Sequence, residues 1–143
     1  LHAIAQLGFR QAMLCIKRDH KALIDGSSRF IDDAEEICAL AKENEISAIL
    51  LADDIAGNRG LLFSYNDFDV TILPFYKQLA DIMKKNNLYA FFHSDGDTRI
   101  IIESLIGAGY DCIHPIDSQA GLNLSMLKER YNDRVSFMGH VDI

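Results

Sequence analysis

The sequence predicts an α/β fold built from parallel strand–helix units, and three observations support this prediction. Five short apolar runs are bounded by turn residues, as expected of strands that are covered on both faces. Segments with the helical spacing of apolar residues lie between successive runs. The connections are short, which is typical of parallel units with right-handed crossovers. The runs span residues 12–17, 47–52, 88–93, 111–116 and 135–139.

Four predicted helices fill the gaps between these runs. Asp97 precedes the third helix and can cap it, and Gly109 follows it as a typical C-terminal residue. Pro74 fits the first turn of the second helix, so residues 64–72 are predicted to form a separate turn or lead-in helix. The helices are predicted over residues 32–44, 71–87, 98–109 and 124–133.

The length of 143 residues suits one domain over residues 1–143, for which two architectures compete. Five units can form a self-contained doubly wound sheet, or more than half of a (β/α)8 TIM barrel, which needs about 250 residues. The chain begins without methionine and stops at "FMGHVDI", where a strand would lead to its next helix. This favours a partial TIM barrel of about five βα units. Because such a segment leaves two parallel edges open, we expect a homodimer that closes the barrel, or further chain.

Composition excludes several classes of function. A net charge of −7 with scattered basic residues argues against nucleic acid as a partner. The longest apolar runs are about six residues, too short for a membrane span, and no secretory signal is visible. Three cysteines without a CxxC pattern predict neither a disulfide framework nor a thiolate zinc site. These features predict a cytoplasmic protein.

Polar side chains follow every apolar run. Because parallel strands end at the same rim of the sheet, we expect these residues to converge where α/β folds bind ligands. In chain order the strand-end residues are Lys17, Arg18 and Asp19, then Asp53 and Asp54, then His93 and Asp95, then His114 and Asp117, and finally His140 and Asp142.

Some of these residues have a structural interpretation beside the functional one. Asp95 can cap the following helix, and His114 fits a hydrogen-bonded core histidine as well as a ligand contact. Arg59 fits a solvated loop residue as well as a partner for a substrate carboxylate. The adjacent acids Asp53 and Asp54 favour function, because they repel each other and a turn needs only one of them.

Two kinds of chemistry suit a rim of histidines and carboxylates. A histidine and several carboxylates can bind a divalent metal, which would polarise a substrate or activate a thiol. Without a metal, the acids can bind cationic groups of a substrate and stabilise positive charge in a transition state. The candidate substrate-binding residues are Asp53, Asp54, Arg59, His93, Asp95, Asp117, His140 and Asp142.

Four segments in order resemble the uroporphyrinogen decarboxylase superfamily. They are "LLADDIAGNRGLLFS", "LPFYKQLADIMKKNN", "FFHSDGDTRIIIESLIGAGYDCIHPID" and "LKERYNDRVSFMGHVDI". This superfamily includes porphyrinogen decarboxylases and zinc-dependent methyltransferases that exchange methyl groups between corrinoid proteins and thiols. The resemblance is strongest over residues 47–143, and residues 1–46 match only loosely.

The resemblance implies a TIM-barrel enzyme with its site at the carboxyl rim. "FHSDG" aligns with a His-x-Cys-Gly motif of the methyltransferase-type members, whose His and Cys bind zinc. His93 matches the histidine, and Asp95 replaces the cysteine with a harder oxygen ligand. The implied function is methyl transfer between a corrinoid and a thiol, with zinc as cofactor, a corrinoid protein as partner and a methyl donor or tetrapyrrole-related molecule as substrate. Decarboxylation of porphyrinogen acetate side chains and a non-catalytic barrel fragment are the alternatives.

Overall fold

The computed structural model describes residues 8–18 and 20–141. Helices α1 to α6 span Phe9–Arg18, His20–Glu43, Tyr65–Asp67, Leu73–Lys85, Ile102–Ala108 and Leu124–Tyr131. Strands β1 to β6 span Ala48–Ala52, Ala56–Gly57, Gly60–Leu61, Tyr89–His93, Cys112–Ile116 and Ser136–Gly139. A π-helical turn over Phe68–Ile72 joins α3 to α4, and 3₁₀ turns over Arg99–Ile101 and Asn132–Arg134 precede α5 and follow α6.

Four strands form one parallel sheet in the order β1-β4-β5-β6. Each strand therefore lies next to the one that precedes it in this set, and helices α4, α5 and α6 occupy the three connections. Right-handed crossovers in such a sequence place successive helices on the same face of the sheet. The parallel α/β architecture predicted from the sequence is confirmed, and four of the five predicted strands are present.

The first predicted strand, over residues 12–17, is wrong, because these residues lie in α1. A six-residue apolar run fits a buried strand and a buried helix equally well when periodicity is the only criterion. The burial pattern shows which one forms here: buried residues three and four positions apart lie on one face of a helix. The buried side chains of α1 are Ala12, Cys15 and Ile16.

The predicted helices are present with shifted ends. The helix predicted over residues 32–44 forms the C-terminal half of α2, which begins well before it at His20 and ends at Glu43. The lead-in turn predicted before Pro74 is α3 with the π-helical turn, and Gly109 ends α5 with φ +100°. In the described part of the chain, no helix combines the length and the apolar character that crossing a bilayer requires.

The two faces of the sheet have different surroundings. Leu51, Phe92 and Ile113 are paired neighbours across three strands and are buried in the core with the helices. Leu50, the neighbour of Leu51 on the other face, is 45% exposed, and Met138 of β6 is 43% exposed. The sheet therefore has one face covered by helices and one partly open face, on which Cys112 is nevertheless buried. His93 and His114 are also register partners: His93 is the last residue of β4, and His114 is the middle residue of β5.

Asp67 connects α1 to the segment that leads into α4. Its carboxylate accepts hydrogen bonds from the Ser64 hydroxyl at 2.6 Å and from Lys17 Nζ at 3.2 Å. The Ser64 Oγ atom in turn accepts from the Asp67 backbone N–H, which caps the short helix α3. The hydrogen bond from Ser64, followed by that from Lys17, lowers the pKa of Asp67. Lys17, predicted at a strand end, thus serves a helix contact instead.

We expect Asp67→Asn to destabilise the protein at neutral pH and to have little effect in strong acid. Because the folded-state pKa of Asp67 lies below the unfolded-state value of about 3.9, its stabilisation is complete above that value and is lost as the pH falls through the folded-state pKa. Urea unfolding from about pH 2 to pH 7 measures this dependence. Asp69→Asn, at an exposed carboxylate two residues away, is the control. A pH-independent difference between Asp67→Asn and the parent would contradict the assignment.

Candidate functional site

Three polar side chains from the ends of β1 and β4 converge at the carboxyl rim of the sheet. Ala52 and His93, the last residues of these strands, are register partners, so Asp54 and Asp95 follow adjacent strand ends. One ligand atom from each of Asp54, His93 and Asp95 lies within 4.8 Å of the other two. His93 Nε2 is 3.5 Å from Asp54 Oδ1 and 4.0 Å from Asp95 Oδ1. The predicted ligands His93 and Asp95 thus lie together, and Asp54 joins them.

This triad is accessible from outside the protein. The side chain of His93 is 23% exposed, that of Asp54 is 44% exposed and that of Asp95 is 67% exposed. The Asp95 backbone N–H donates to Asp54 Oδ1 at 3.1 Å. This hydrogen bond links the loop after β4 to the loop after β1. One imidazole nitrogen and two carboxylates form a ligand set that suits Zn²⁺ and harder divalent cations. Such a set leaves coordination positions for a substrate.

His114 pairs with the histidine of the triad. Its Nδ1 atom lies 2.7 Å from His93 Nδ1, and the two rings stack with centroids 4.9 Å apart. Burial, and then the neighbouring His93, lower the pKa of His114, although Asp95 opposes this shift. From the sequence, His114 could be a hydrogen-bonded core histidine or a residue of the site. In the structure it is half-buried and hydrogen-bonded to a residue of the triad, so both descriptions apply.

The adjacent acids Asp53 and Asp54 have different environments. Asp53 Oδ2 accepts a hydrogen bond from the Tyr76 hydroxyl at 2.8 Å, whereas Asp54 belongs to the triad. Tyr76 is buried against Phe92 and Tyr110. Burial, and then the negative charge of Asp53, raise the pKa of Tyr76 well above its usual value, so the phenol remains a donor. Sequence reasoning missed Tyr76, whose position on the buried face of α4 gave only a core signal.

Hydrogen bonds tie the loop after β4 to the loop after β1. The buried Ser94 hydroxyl accepts from the Ile55 backbone N–H at 3.1 Å and donates to the Asp95 carbonyl. The Asp97 backbone N–H donates to the Gly57 carbonyl at 2.9 Å. These bonds hold Asp54 and Asp95 on facing loops. Ser94 was not among the predicted residues, because a serine between two polar residues gives no distinct sequence signal.

Asp117 orders the loop after β5. Its carboxylate accepts backbone N–H bonds from Gly96 at 3.2 Å, from Gln119 at 2.8 Å and from Ala120 at 3.2 Å. Both of its oxygens are therefore used within the protein. The bond to Gly96 links a third strand end to the triad loops, and a contact of Asp117 with substrate stays a prediction.

The remaining predicted residues lie outside the triad. Arg59 occupies the exposed turn of the small β2–β3 hairpin, which the sequence did not predict. His140 follows β6, is exposed and has φ +63°. Arg18 is exposed at the end of α1 and therefore does not lie at a strand end. Asp19 and Asp142 lie outside the described residues.

Comparison with known proteins identifies no relative of this fold or site. The family resemblance, the methyl-transfer activity and its alternatives therefore stay predictions. No protein-family model, no curated protein and no solved structure matches the chain.

Proposed function

We propose that this chain is part of a (β/α)8 barrel enzyme similar to the uroporphyrinogen decarboxylase superfamily, and that its rim supports metal-dependent methyl transfer from a corrinoid to a thiol. The observation that carries this proposal is the convergence of Asp54, His93 and Asp95 at two neighbouring strand ends. In parallel α/β folds that rim is where ligands bind.

Two features of the sheet support the barrel. In a doubly wound sheet the strand order reverses and helices cover both faces, whereas a barrel keeps the strands in sequence with all helices outside. Here the order β1-β4-β5-β6 is sequential. The partly open face also carries exposed apolar side chains such as Leu50 and Met138, as the inward face of an incomplete barrel would.

The donor set of the triad fits a divalent cation. Ligands about 2.1 Å from one ion lie about 3–4 Å apart, so atoms within 4.8 Å need only small side-chain rotations to share it. When bound, such a cation supplies stabilisation of a thiolate at neutral pH. Asp95 in place of a thiolate ligand makes the set harder, which favours zinc with oxygen ligands or a harder ion such as manganese.

The residues of this chain would hold the cation, and the two substrates supply the reacting atoms. In the overall reaction the thiol sulfur attacks the methyl carbon, the cobalt–carbon bond breaks with both electrons kept by cobalt, and the thiol proton passes to solvent. Asp54 and Asp95 provide the negative charge that retains a cation, while His114 supports the His93 ring. The Ser94 hydroxyl holds the loop after β1 against the loop after β4, and the Tyr76–Asp53 bond holds the loop after β1 against α4.

An activity assay on the purified protein tests this proposal. The protein with Zn²⁺, methylcobalamin and 2-mercaptoethanol should form the methyl thioether, detected by mass spectrometry, as the methylcobalamin absorbance falls. We expect Asp95→Asn to reduce the rate by at least about tenfold, because it removes one of three charged or basic ligands. Asp81→Asn, at an exposed helical carboxylate, should leave the rate unchanged.

The same preparations distinguish the alternatives. The protein can also be incubated with uroporphyrinogen in the presence of a chelator. Removal of carboxyl groups under these conditions, together with no thioether formation in the first assay, would show decarboxylation rather than methyl transfer. Neither product, from folded protein, would contradict both enzymatic functions and leave the non-catalytic barrel segment.

A further inference from the structure

The contact between His93 and His114 allows only one proton between the two rings. Their Nδ1 atoms are 2.7 Å apart, which is a hydrogen-bond distance. In a neutral imidazole one ring nitrogen donates and the other accepts. One Nδ1 must therefore carry the shared proton while the other accepts it, and the choice determines the protonated nitrogen of each ring.

Without a cation, the two carboxylates determine which ring nitrogen of His93 carries the proton. His93 Nε2 faces Asp54 Oδ1 at 3.5 Å and Asp95 Oδ1 at 4.0 Å. Ionised carboxylates only accept hydrogen bonds, so they favour a proton on Nε2. Neutral His93 then has an accepting Nδ1, and His114 donates its Nδ1 proton. This leaves His114 Nε2 with a lone pair.

With a cation in the triad, both rings must change. A metal ligand binds through an unprotonated nitrogen, so His93 Nε2 loses its proton and Nδ1 gains one. His93 Nδ1 then donates, and His114 Nδ1 must accept. A neutral His114 that accepts at Nδ1 carries its proton on Nε2.

We propose that His114 is the positioning residue of the triad, and that cation binding at His93 exchanges the tautomers of both rings so that His114 Nε2 changes from an acceptor to a donor. The inference rests on the proposed metal centre. The His114 Nδ1 proton crosses to His93 Nδ1, the His93 Nε2 proton passes to solvent, and His114 Nε2 takes one proton from solvent. The two rings hold two ring protons before and after.

The tautomer exchange changes which substrate groups His114 Nε2 can bind. His114 is half-buried in the middle of β5, and its Nε2 has no hydrogen-bond partner among residues 8–18 and 20–141. In the cation-loaded protein this nitrogen is a donor, so it favours a substrate with an oxygen acceptor such as a carboxylate or carbonyl. In the cation-free protein it presents a lone pair and disfavours the same group. Cation binding and substrate selection are thereby linked through one hydrogen bond.

Nitrogen NMR of histidine-labelled protein tests this inference directly. At about pH 8, where imidazoles are ordinarily neutral, the ring ¹⁵N shifts identify the protonated nitrogen of each histidine. Signals are assigned with His93→Gln, His114→Gln and His140→Gln. We expect His114 to be protonated on Nδ1 without metal and on Nε2 after one equivalent of Zn²⁺, while His140 keeps its tautomer.

The outcomes separate this inference from the metal centre itself. Zinc bound at His93 with an unchanged His114 tautomer would overturn the inference and leave the proposed centre intact. No change at His93 on zinc addition would overturn the centre and the exchange together.

Substitutions at His114 provide a second test by zinc affinity. The asparagine side chain in His114→Asn has an oxygen that can accept from His93 Nδ1, so this variant should bind zinc within about threefold of the parent. The leucine side chain in His114→Leu fills space but has no hydrogen-bonding group. His114→Leu should bind zinc about 10- to 100-fold more weakly, as loss of an outer-sphere partner does. Equal losses in both variants, measured by competition titration, would overturn a hydrogen-bonding role for His114.

Discussion

His93→Ala is expected to raise the dissociation constant for Zn²⁺ by at least about 100-fold, because it removes the only nitrogen donor of the triad. Loss of an outer-sphere partner alone weakens metal binding about 10- to 100-fold, so loss of a ligand should cost at least as much. Two carboxylates on water-facing side chains then remain. Isothermal titration, with competition by a chelator of known affinity, measures the change.

His140→Ala is the matched control for that variant. His140 also follows a strand of the sheet, but it is exposed and outside the triad. Urea unfolding checks that both variants are folded, and His93→Ala should be the less stable, since it loses the hydrogen bond and the ring stacking with His114. Equal zinc affinity in His93→Ala and the parent would exclude His93 as a ligand.

Gly96→Ala is expected to destabilise the protein by about 3 kcal/mol or more. Gly96 has φ +85°, a conformation that favours glycine, and a Cβ atom there would lie 2.7 Å from the backbone carbon and oxygen of Gly57. Backbone atoms cannot yield as a flexible side chain can. The substitution should therefore separate the loop after β4 from the hairpin and disturb the neighbouring Asp95.

Gly121→Ala separates the two causes of this effect. Gly121 has φ +75°, similar to Gly96, but no atom lies within 4 Å of its Cβ position. It therefore measures conformational strain alone, at about 1–2 kcal/mol. Urea unfolding of both variants gives the difference due to the close approach of Gly57. Equal destabilisation would show that the two loops are not packed as described.

The parallel sheet was predictable because its strands have strong local signals. Each of the four correct runs is short, apolar and bounded by turn residues. The run over residues 12–17 has the same composition, yet it forms part of α1 because its buried positions follow helical spacing. Such a short segment does not separate the two periods, so tertiary packing decides.

The site was predictable to the level of strand ends and no further. Topology alone brings His93 and Asp95 to one rim, and the adjacent Asp54 follows from the neighbouring strand. Which of two adjacent acids faces the core depends on backbone direction after β1, and Tyr76 binds Asp53 rather than Asp54. The pairing of His114 with His93 depends on strand register and on ring orientation, which no local pattern encodes.

X-ray absorption at the zinc edge on the protein loaded with one equivalent of Zn²⁺ tests the proposed metal centre most directly. The triad predicts a first shell of nitrogen and oxygen only, at about 2.0–2.2 Å, with the outer-shell scattering of one imidazole. In His93→Ala that imidazole signal should disappear. A sulfur shell at about 2.3 Å, or an imidazole signal that survives in His93→Ala, would contradict a centre formed by Asp54, His93 and Asp95.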